Sequence, residues 1–192
     1  MSKQPLKDFF KKSQLLSQKA INIMAEEYEE RHFVKDEFFL KQGKVSDSVF
    51  LIEGLMRAYT FTPKGNEVTT NFFSQYQAVY DPASFFQQTP SMENIQAVTE
   101  CLTYSISYDK VNKLFHTIPE FREFGRLMLL EELVSFKQRT LAVINRSAEE
   151  RYVDLMKEHQ DILQNAPLKH IASYLGITDS SLSRIRRNSL RK

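Results

Sequence analysis

Three glycines, Gly43, Gly54 and Gly65, recur at intervals of eleven residues, and short runs of strand-forming sequence separate and follow them. The runs are SVFLIE, LMRAYTFT, EVTTNFF and LTYSISY. In the last run apolar and polar residues alternate, which is the pattern of a strand with one buried face. Evenly spaced turns between short strands are typical of a small antiparallel barrel or jelly roll. We therefore predict such a barrel over residues 33–109.

Helical sequence lies on both sides of the predicted barrel. Apolar residues at helical spacing from Leu6 to Met24 predict an N-terminal helix over about the first 30 residues. The chain is 42% apolar, which is enough to bury one or two cores. We predict an α+β fold with three parts: a barrel domain at residues 1–118, a long helix at 119–145 and a helical domain at 146–192.

The long helix is delimited by two patterns that resemble capping boxes, Thr117 with Glu120 and Ser147 with Glu150. It carries two apolar edges. The first has the spacing of a coiled-coil seam, interrupted by Lys137, and consists of Leu127, Leu130, Val134, Leu141 and Ile144. The second consists of Leu129, Leu133, Phe136 and Val143.

A helix with two apolar edges needs two partners. One interpretation buries both edges against the chain's own barrel. The other packs Leu129 and Leu133 against the barrel and the first edge against a second subunit. The length of the seam favours the second interpretation, so we expect a homodimer.

The segment from Leu168 to Arg187 predicts two short helices joined by a sharp turn. Ala172 is small enough for the helices to approach, Gly176 suits a turn with positive φ, and Thr178 is a suitable N-cap. The predicted contacts between the helices are Ile171, Leu175, Ile177, Leu182 and Ile185. The segment is either an ordinary surface hairpin or a helix-turn-helix that binds DNA.

Charge distribution favours DNA binding. Residues 166–192 carry a net charge of +5, whereas residues 1–165 carry −3. A local cationic surface on a nearly neutral protein predicts a polyanionic partner for that surface alone. We expect double-stranded DNA. Ser180, Ser181 and Arg184 are expected near the exposed N-terminal face of the second helix, with Arg187 one turn later.

The order of elements resembles the Crp/Fnr family of bacterial transcription regulators over nearly the whole chain. The stretch LKQGKVSDSVFLIEGLMRAY is similar to the family's first barrel hairpins, and SAEERYVDLMKEH with PLKHIASYLGITDSSLSRIRR is similar to its DNA-binding end. The resemblance implies a cyclic-nucleotide-binding-like sensor domain, a dimerisation helix, a DNA-binding helix-turn-helix, and RNA polymerase as a further candidate partner. The residues that the resemblance implies at the DNA are Thr178, Asp179, Ser180, Ser181, Arg184, Arg186 and Arg187. Among them Arg184 is the expected base reader, because arginine bonds bidentately to guanine.

The chain departs from the family in its barrel. Cyclic-nucleotide binders of the family carry a Gly-Glu and an Arg-Ser pair where this chain has VYDPASFFQQTPSMENIQAV, and no Lys or Arg lies between Lys64 and Lys110. A buried phosphate without a cationic partner is costly, so we expect no cyclic nucleotide bound in the usual way. The aromatic residues here are either core or the lining of a site for another small-molecule effector. The candidate effector pocket is Tyr80, Asp81, Phe85 and Glu93, whose two carboxylates either meet a cationic ligand or are solvated.

The chain also ends at Lys192, without the β-wing that commonly follows the recognition helix in the family. Five of the last nine residues are basic. They either contact DNA phosphates in place of the wing or simply complement the negative end of a helix.

Several other function classes find no support in the sequence. The four histidines show no paired ligand spacing, so no metal or other cofactor is expected, and no catalytic motif indicates an enzyme. Cys101 is expected to be a small core residue. The longest apolar runs have four residues and no signal peptide is evident, so we expect a cytoplasmic protein without a membrane span. The competing function is a sensor or scaffold that does not bind DNA and whose terminal helices bind a protein.

Overall fold

The computed structural model describes residues 3–189, and over this range helices surround two small sheets. The helices are α1 (Gln4–Lys12), α2 (Gln18–Glu27), α3 (Pro82–Gln87), α4 (Tyr108–Thr117), α5 (Pro119–Asn145), α6 (Ala148–Glu158), α7 (Gln160–Asn165), α8 (Leu168–Tyr174) and α9 (Asp179–Ser189). The strands are β1 (Glu29–Phe33), β2 (Phe38–Leu40), β3 (Ser48–Glu53), β4 (Met56–Phe61), β5 (Glu67–Phe73), β6 (Gln77–Val79), β7 (Asn94–Ala97) and β8 (Cys101–Ile106). The predicted α+β class is confirmed.

Two four-stranded sheets form a jelly roll. The first sheet has the strand order β1-β8-β3-β6, and the second has the order β2-β7-β4-β5. All paired strands are antiparallel. Because β3 and β4 are consecutive but belong to different sheets, the turn at Gly54 carries the chain from one sheet to the other. The barrel predicted from the glycine spacing is confirmed.

An apolar core fills the space between the sheets. Val49 and Leu51 of β3 face Met56 and Ala58 of β4, and Cys101 lies in the same cluster. These side chains are almost completely buried, as expected for alternate residues of two packed sheets. The prediction that Cys101 is a core residue is confirmed.

The outer face of the first sheet is buried as well, which the alternation in its sequence did not predict. Tyr104 and Ile106 pack against helices α1, α2 and α5, while Thr103 on the opposite side of β8 is fully buried between the sheets. The Thr103 hydroxyl donates a hydrogen bond to the Arg31 carbonyl oxygen at 2.8 Å. This hydrogen bond allows a polar residue to occupy the buried side of the strand.

The N-terminal helical region consists of two helices, not the one helix that we predicted. α1 ends at Lys12, and at Gln14 the backbone takes a positive φ of 57°. Ser17 then caps α2 by accepting a hydrogen bond from an amide of its first turn, and its hydroxyl donates to the Glu120 carboxylate at 2.9 Å. The helical region also ends earlier than predicted, because β1 begins at Glu29.

One of the two predicted helix caps is wrong. Thr117 is the last residue of α4, and its hydroxyl donates to the Lys113 carbonyl oxygen instead of capping α5. α5 begins after Ile118 without a side-chain cap. The second cap is confirmed, because Ser147 and Glu150 form a complete capping box at the start of α6.

We predict that Gly54→Ala lowers the free energy of unfolding by about 2–4 kcal/mol. Gly54 has φ +101°, and a Cβ there would collide with the Glu100 carbonyl oxygen and lie 2.7 Å from Cys101 Sγ. Urea denaturation followed by circular dichroism measures the change. Gly65→Ala is the control, because Gly65 also has positive φ but open space around it, and should cost about 1 kcal/mol. Equal losses in the two variants would contradict a close approach of Gly54 to β8.

Candidate functional site

Helices α8 and α9 form a hairpin at the C-terminal end of the described chain. Gly176 takes φ +68° in the turn between them. The Thr178 hydroxyl accepts a hydrogen bond from the Ser181 amide at 3.3 Å, so Thr178 caps α9 as predicted. The cap satisfies one of the backbone amides of the first turn of α9.

The predicted contacts within the hairpin are present. Ile171, Ala172, Leu175 and Leu182 are buried in one cluster, with Ile177 and Ile185 packed against it. Three barrel residues belong to the same cluster, namely Leu55, Phe72 and Val98. The hairpin therefore packs on the second sheet and shares its core with the barrel.

Most of the residues predicted at the DNA lie on the exposed side of α9. Exposed side chains are those of Thr178, Asp179, Ser180, Arg184, Arg186 and Arg187, whereas Ser181 is half-buried. Over residues 3–189, none of the three arginines lies within salt-bridge distance of a carboxylate. Arg191 and Lys192 of the predicted phosphate-binding tail lie outside the described residues. The exposed side of α9 thus presents these three arginines, with several hydroxyls near its start, to solvent.

The contact between α8 and the second sheet contains polar groups that the sequence analysis missed. The Arg57 side chain is buried on β4, and its guanidinium pairs with the Glu67 carboxylate at 2.7 Å. The His170 ring lies 4.0 Å from the same carboxylate. Ser173 Oγ lies 2.9 Å from Thr69 Oγ1 and accepts a hydrogen bond from the Thr69 amide at 3.1 Å. We call this set of five residues the polar seat of the hairpin.

Three of the four candidate effector residues are already engaged within the chain. The Asp81 carboxylate caps α3, accepting hydrogen bonds from the amides of Ala83 and Ser84, and also accepts one from the Ser91 hydroxyl at 2.6 Å. Tyr80 and Phe85 pack edge to face with ring centroids 5.5 Å apart. These contacts favour a structural role for Asp81 over binding of a cationic ligand.

Glu93, the fourth candidate, lies between the barrel and the long helix. Its side chain is half-buried, and burial raises the pKa of the carboxyl, with Asp81 adding to the increase and Thr70 and Arg139 opposing it. Arg139 comes from α5, and its guanidinium also lies over the Tyr174 ring at 4.2 Å. The segment between Lys64 and Lys110 contains no cation, yet the fold brings one to it from a distant helix.

Polar residues of α5 contact the rest of the chain, whereas many apolar residues of α5 are exposed to solvent. The Tyr80 hydroxyl donates a hydrogen bond to the Glu132 carboxylate at 2.6 Å, and Arg139 packs on the hairpin. The prediction that Leu129 and Leu133 face the barrel is wrong, because they are 38% and 61% exposed. Leu129 lies one turn before Glu132 and borders the side of the helix that contacts the chain, whereas Leu133 lies about 100° further around the helix.

Residues of both predicted apolar edges of α5 are exposed, and we call this set of side chains the outward face. Its exposed side chains are Leu129, Leu130, Leu133, Val134, Phe136, Leu141, Val143 and Ile144. Leu127, also predicted in the seam, is half-buried at the margin. Lys137 and Thr140 lie among these side chains on the helix, and so many exposed apolar side chains on one helix are typical of an interaction site.

The described part of the chain shows neither a metal site nor a membrane span. No group of three His, Cys, Asp or Glu residues there is arranged to hold a metal ion. No helix among those residues has the length and apolar character that crossing a membrane requires.

Known proteins resemble this chain in its barrel domain and beyond it. Residues 30–117 match the model of the cyclic nucleotide-binding domain. Electron transport regulator A of Shewanella oneidensis is 24% identical over 163 residues, which cover 79% of this chain and 64% of that protein. This chain thus spans less than two thirds of that relative's length.

Solved structures extend the likeness beyond the barrel. FixK2 from Bradyrhizobium japonicum superposes with a TM-score of 0.72 at 16% identity, over 84% of this chain and 83% of that one. A structure from Eubacterium rectale described as a transcriptional regulator of the Crp/Fnr family also has a TM-score of 0.72, at 12% identity, over 94% and 87% of the two chains. This chain has the Crp/Fnr fold. The jelly roll, the long helix and the C-terminal helices of the Crp/Fnr fold are all present, and the expected resemblance is confirmed.

Within the Crp/Fnr fold of this chain, the polar seat makes stability depend on pH. Burial lowers the pKa of His170 to about 4, helped by Arg57 and Lys169 and opposed by Glu67 and Asp36. An unfolded histidine has a pKa of about 6.5. Between these values the unfolded chain binds a proton that the folded chain does not, so the free energy of unfolding decreases as the pH falls through this window.

We predict a loss of about 2 kcal/mol between pH 7.5 and pH 4.5, less than the full pKa shift implies because solvent screens part of the effect. Urea denaturation at several pH values measures this loss, and His170→Gln should flatten the pH dependence. Parallel curves for the wild type and His170→Gln would show that His170 does not titrate as described.

Proposed function

We propose that this protein is a sequence-specific DNA-binding transcription regulator of the Crp/Fnr type that acts as a homodimer. The observation that carries the proposal is the hairpin, in which a capped helix presents Arg184, Arg186 and Arg187 to solvent without acidic partners in the described residues. An exposed helix with hydroxyls at its start and arginines further along suits insertion into a major groove. We therefore call α9 the recognition helix.

The side chains of the recognition helix divide by their expected contacts. Asp179, Ser180 and Arg184 are assigned to base edges, and Thr178 and Ser181 to phosphates. Arg186 and Arg187 supply further phosphate contacts, each of which adds salt-dependent affinity that is independent of sequence. Arg184 is the strongest candidate for reading a guanine.

The outward face of α5 supports the homodimer. Two recognition helices must lie about one DNA turn, or 34 Å, apart to bind a two-fold symmetric operator. Pairing of two outward faces would remove their apolar side chains from water and hold two hairpins at a constant distance. The seam residues Leu130, Val134, Leu141 and Ile144 all belong to this face.

The barrel supports regulation by something other than a cyclic nucleotide. A cyclic phosphate requires a cationic partner, and the nearby Arg139 already faces the Glu93 carboxyl and the Tyr174 ring. Arg57, which is buried on β4, pairs with Glu67 through one guanidinium nitrogen, and its other terminal nitrogen has no hydrogen-bond partner in the described residues. These contacts hold both arginines within the chain, which supports a domain that serves as a scaffold or as the sensor of another effector.

The DNA assignment predicts different effects for two arginine substitutions. Arg184→Ala should weaken binding to a selected operator by about 1–3 kcal/mol and leave non-specific binding nearly unchanged, because it removes a base contact. Arg187→Ala should weaken binding to the operator and to non-specific DNA equally, and it should reduce the salt dependence of binding. Titrations of both kinds of DNA at several salt concentrations measure these effects. Equal losses in both variants on both DNAs would remove Arg184 from base reading, and no salt-dependent binding by the wild type would favour a scaffold that binds a protein.

The barrel assignment predicts no response to cyclic nucleotides. Millimolar cyclic AMP or cyclic GMP should leave the melting temperature unchanged, because a ligand that does not bind the native state cannot stabilise it. Thermal unfolding with increasing nucleotide concentration is the measurement. A saturable rise in melting temperature would show that the barrel binds the cyclic phosphate in another way.

A further inference from the structure

Three consecutive residues at the end of α8 are held by three different elements. Ser173 contacts Thr69 of β5, and the Tyr174 ring lies under the Arg139 guanidinium of α5. The Leu175 carbonyl oxygen accepts a hydrogen bond at 2.7 Å from Arg151 of α6. The barrel, the long helix and the following helix therefore meet at one short segment, residues 173–175.

The contact to the barrel is specific because it satisfies a buried amide. Thr69 is 2% exposed, and its amide donates to Ser173 Oγ at 3.1 Å. Loss of this acceptor would leave a buried N–H without a partner, which costs more than an ordinary surface hydrogen bond. The hairpin thus has a strong preference for one register on β5.

The contact to the long helix has two sides. The Tyr174 ring packs edge to face on Phe72 of β5, with centroids 5.2 Å apart, and receives the Arg139 guanidinium at 4.2 Å. Arg139 is half-buried and near enough to Glu93 for its charge to lower that carboxyl's pKa. Arg139 accordingly faces the barrel on one side and the hairpin on the other.

We propose that residues 173–175 are a clamp, closed by Arg139, that sets the orientation of the recognition helix relative to α5 and the barrel. The residues of the clamp and Arg139 are positioning residues and do not touch DNA. The consequence for DNA binding rests on the proposed function, whereas the clamp itself does not.

The short distance from the clamp to the recognition helix gives the clamp its effect. α9 begins at Asp179, four residues after Leu175, and its eleven residues extend about 16 Å. A rotation of about 10° at the clamp would displace the far end of such a helix by about 3 Å. This displacement is close to the spacing of successive base pairs, about 3.4 Å, so a loose clamp would misplace the arginines.

Spin labels test the clamp without DNA. Labels on Lys64→Cys in the β4–β5 turn and Ser183→Cys on α9, both exposed positions, report the distance between barrel and recognition helix. Cys101 is buried and is retained. Mixing with excess unlabelled protein ensures that a dimer carries labels on one chain only, so that the measured distance lies within one chain. We expect a single narrow distance distribution in this parent protein.

Substitutions at the clamp should broaden that distribution. Arg139→Met removes the positive charge, and Tyr174→Leu removes the aromatic ring. Arg139→Lys keeps the charge and Tyr174→Phe keeps the ring, so these two variants should preserve the narrow distance distribution. Arg122→Met removes a charge from the exposed start of the same helix and is the matched control. Narrow, unshifted distances in both Arg139→Met and Tyr174→Leu would overturn the proposal, as would equal broadening in Arg122→Met.

DNA titration of the same variants tests the consequence. Arg139→Met should weaken binding to a selected operator by about 2- to 30-fold, the range expected for loss of a cation–π contact. On non-specific DNA its affinity should equal that of Arg122→Met. Equal losses on both DNAs would overturn the positioning role. If the parent binds no DNA but the clamp variants broaden the distance, the clamp is supported and the proposed function fails.

Discussion

The apolar packing shared by the hairpin and the barrel determines where the recognition helix lies. Leu55, Phe72 and Val98 of the barrel belong to one cluster with Ile171 and Leu175 of the hairpin. A two-helix unit this small cannot bury enough apolar surface to fold alone. Full burial of a side chain such as Ile171 stabilises the fold by about 1.5–3 kcal/mol, so the hairpin depends on the outer face of the second sheet. In the orientation that this packing selects, α9 faces solvent.

Polar groups make that packing specific. Apolar contact alone tolerates sliding, but the buried Thr69 amide must keep Ser173 as its acceptor. The two arginines have different contacts. Arg57 pairs with Glu67 within the barrel, whereas Arg139 of α5 lies over the Tyr174 ring of the hairpin.

Sequence patterns predicted the elements whose signals are local. The strands Ser48–Glu53 and Glu67–Phe73, the long helix and the hairpin core all follow from periodicity and turn residues. The orientation of α5 relative to the barrel was not predictable from periodicity. Periodicity identified both apolar edges of α5, but not that the polar residues Glu132 and Arg139 would contact the rest of the chain. The polar seat was missed because the contacts between β5 and α8 join residues about 100 positions apart. The break at Gln14 lacks the glycine or proline that would mark it.

The central claim is that the outward face of α5 joins two such units, so that two recognition helices bind one operator. Sedimentation equilibrium of Leu133→Glu, with circular dichroism to confirm folding, tests this claim, and Gln138→Glu adds the same charge at an exposed polar position of the same helix. Two added glutamates in the desolvated interface between two outward faces would leave buried charges without partners. We predict a folded Leu133→Glu monomer that has lost operator binding, and a dimeric Gln138→Glu that retains it. A folded Leu133→Glu protein that remains dimeric and binds the operator would contradict the account.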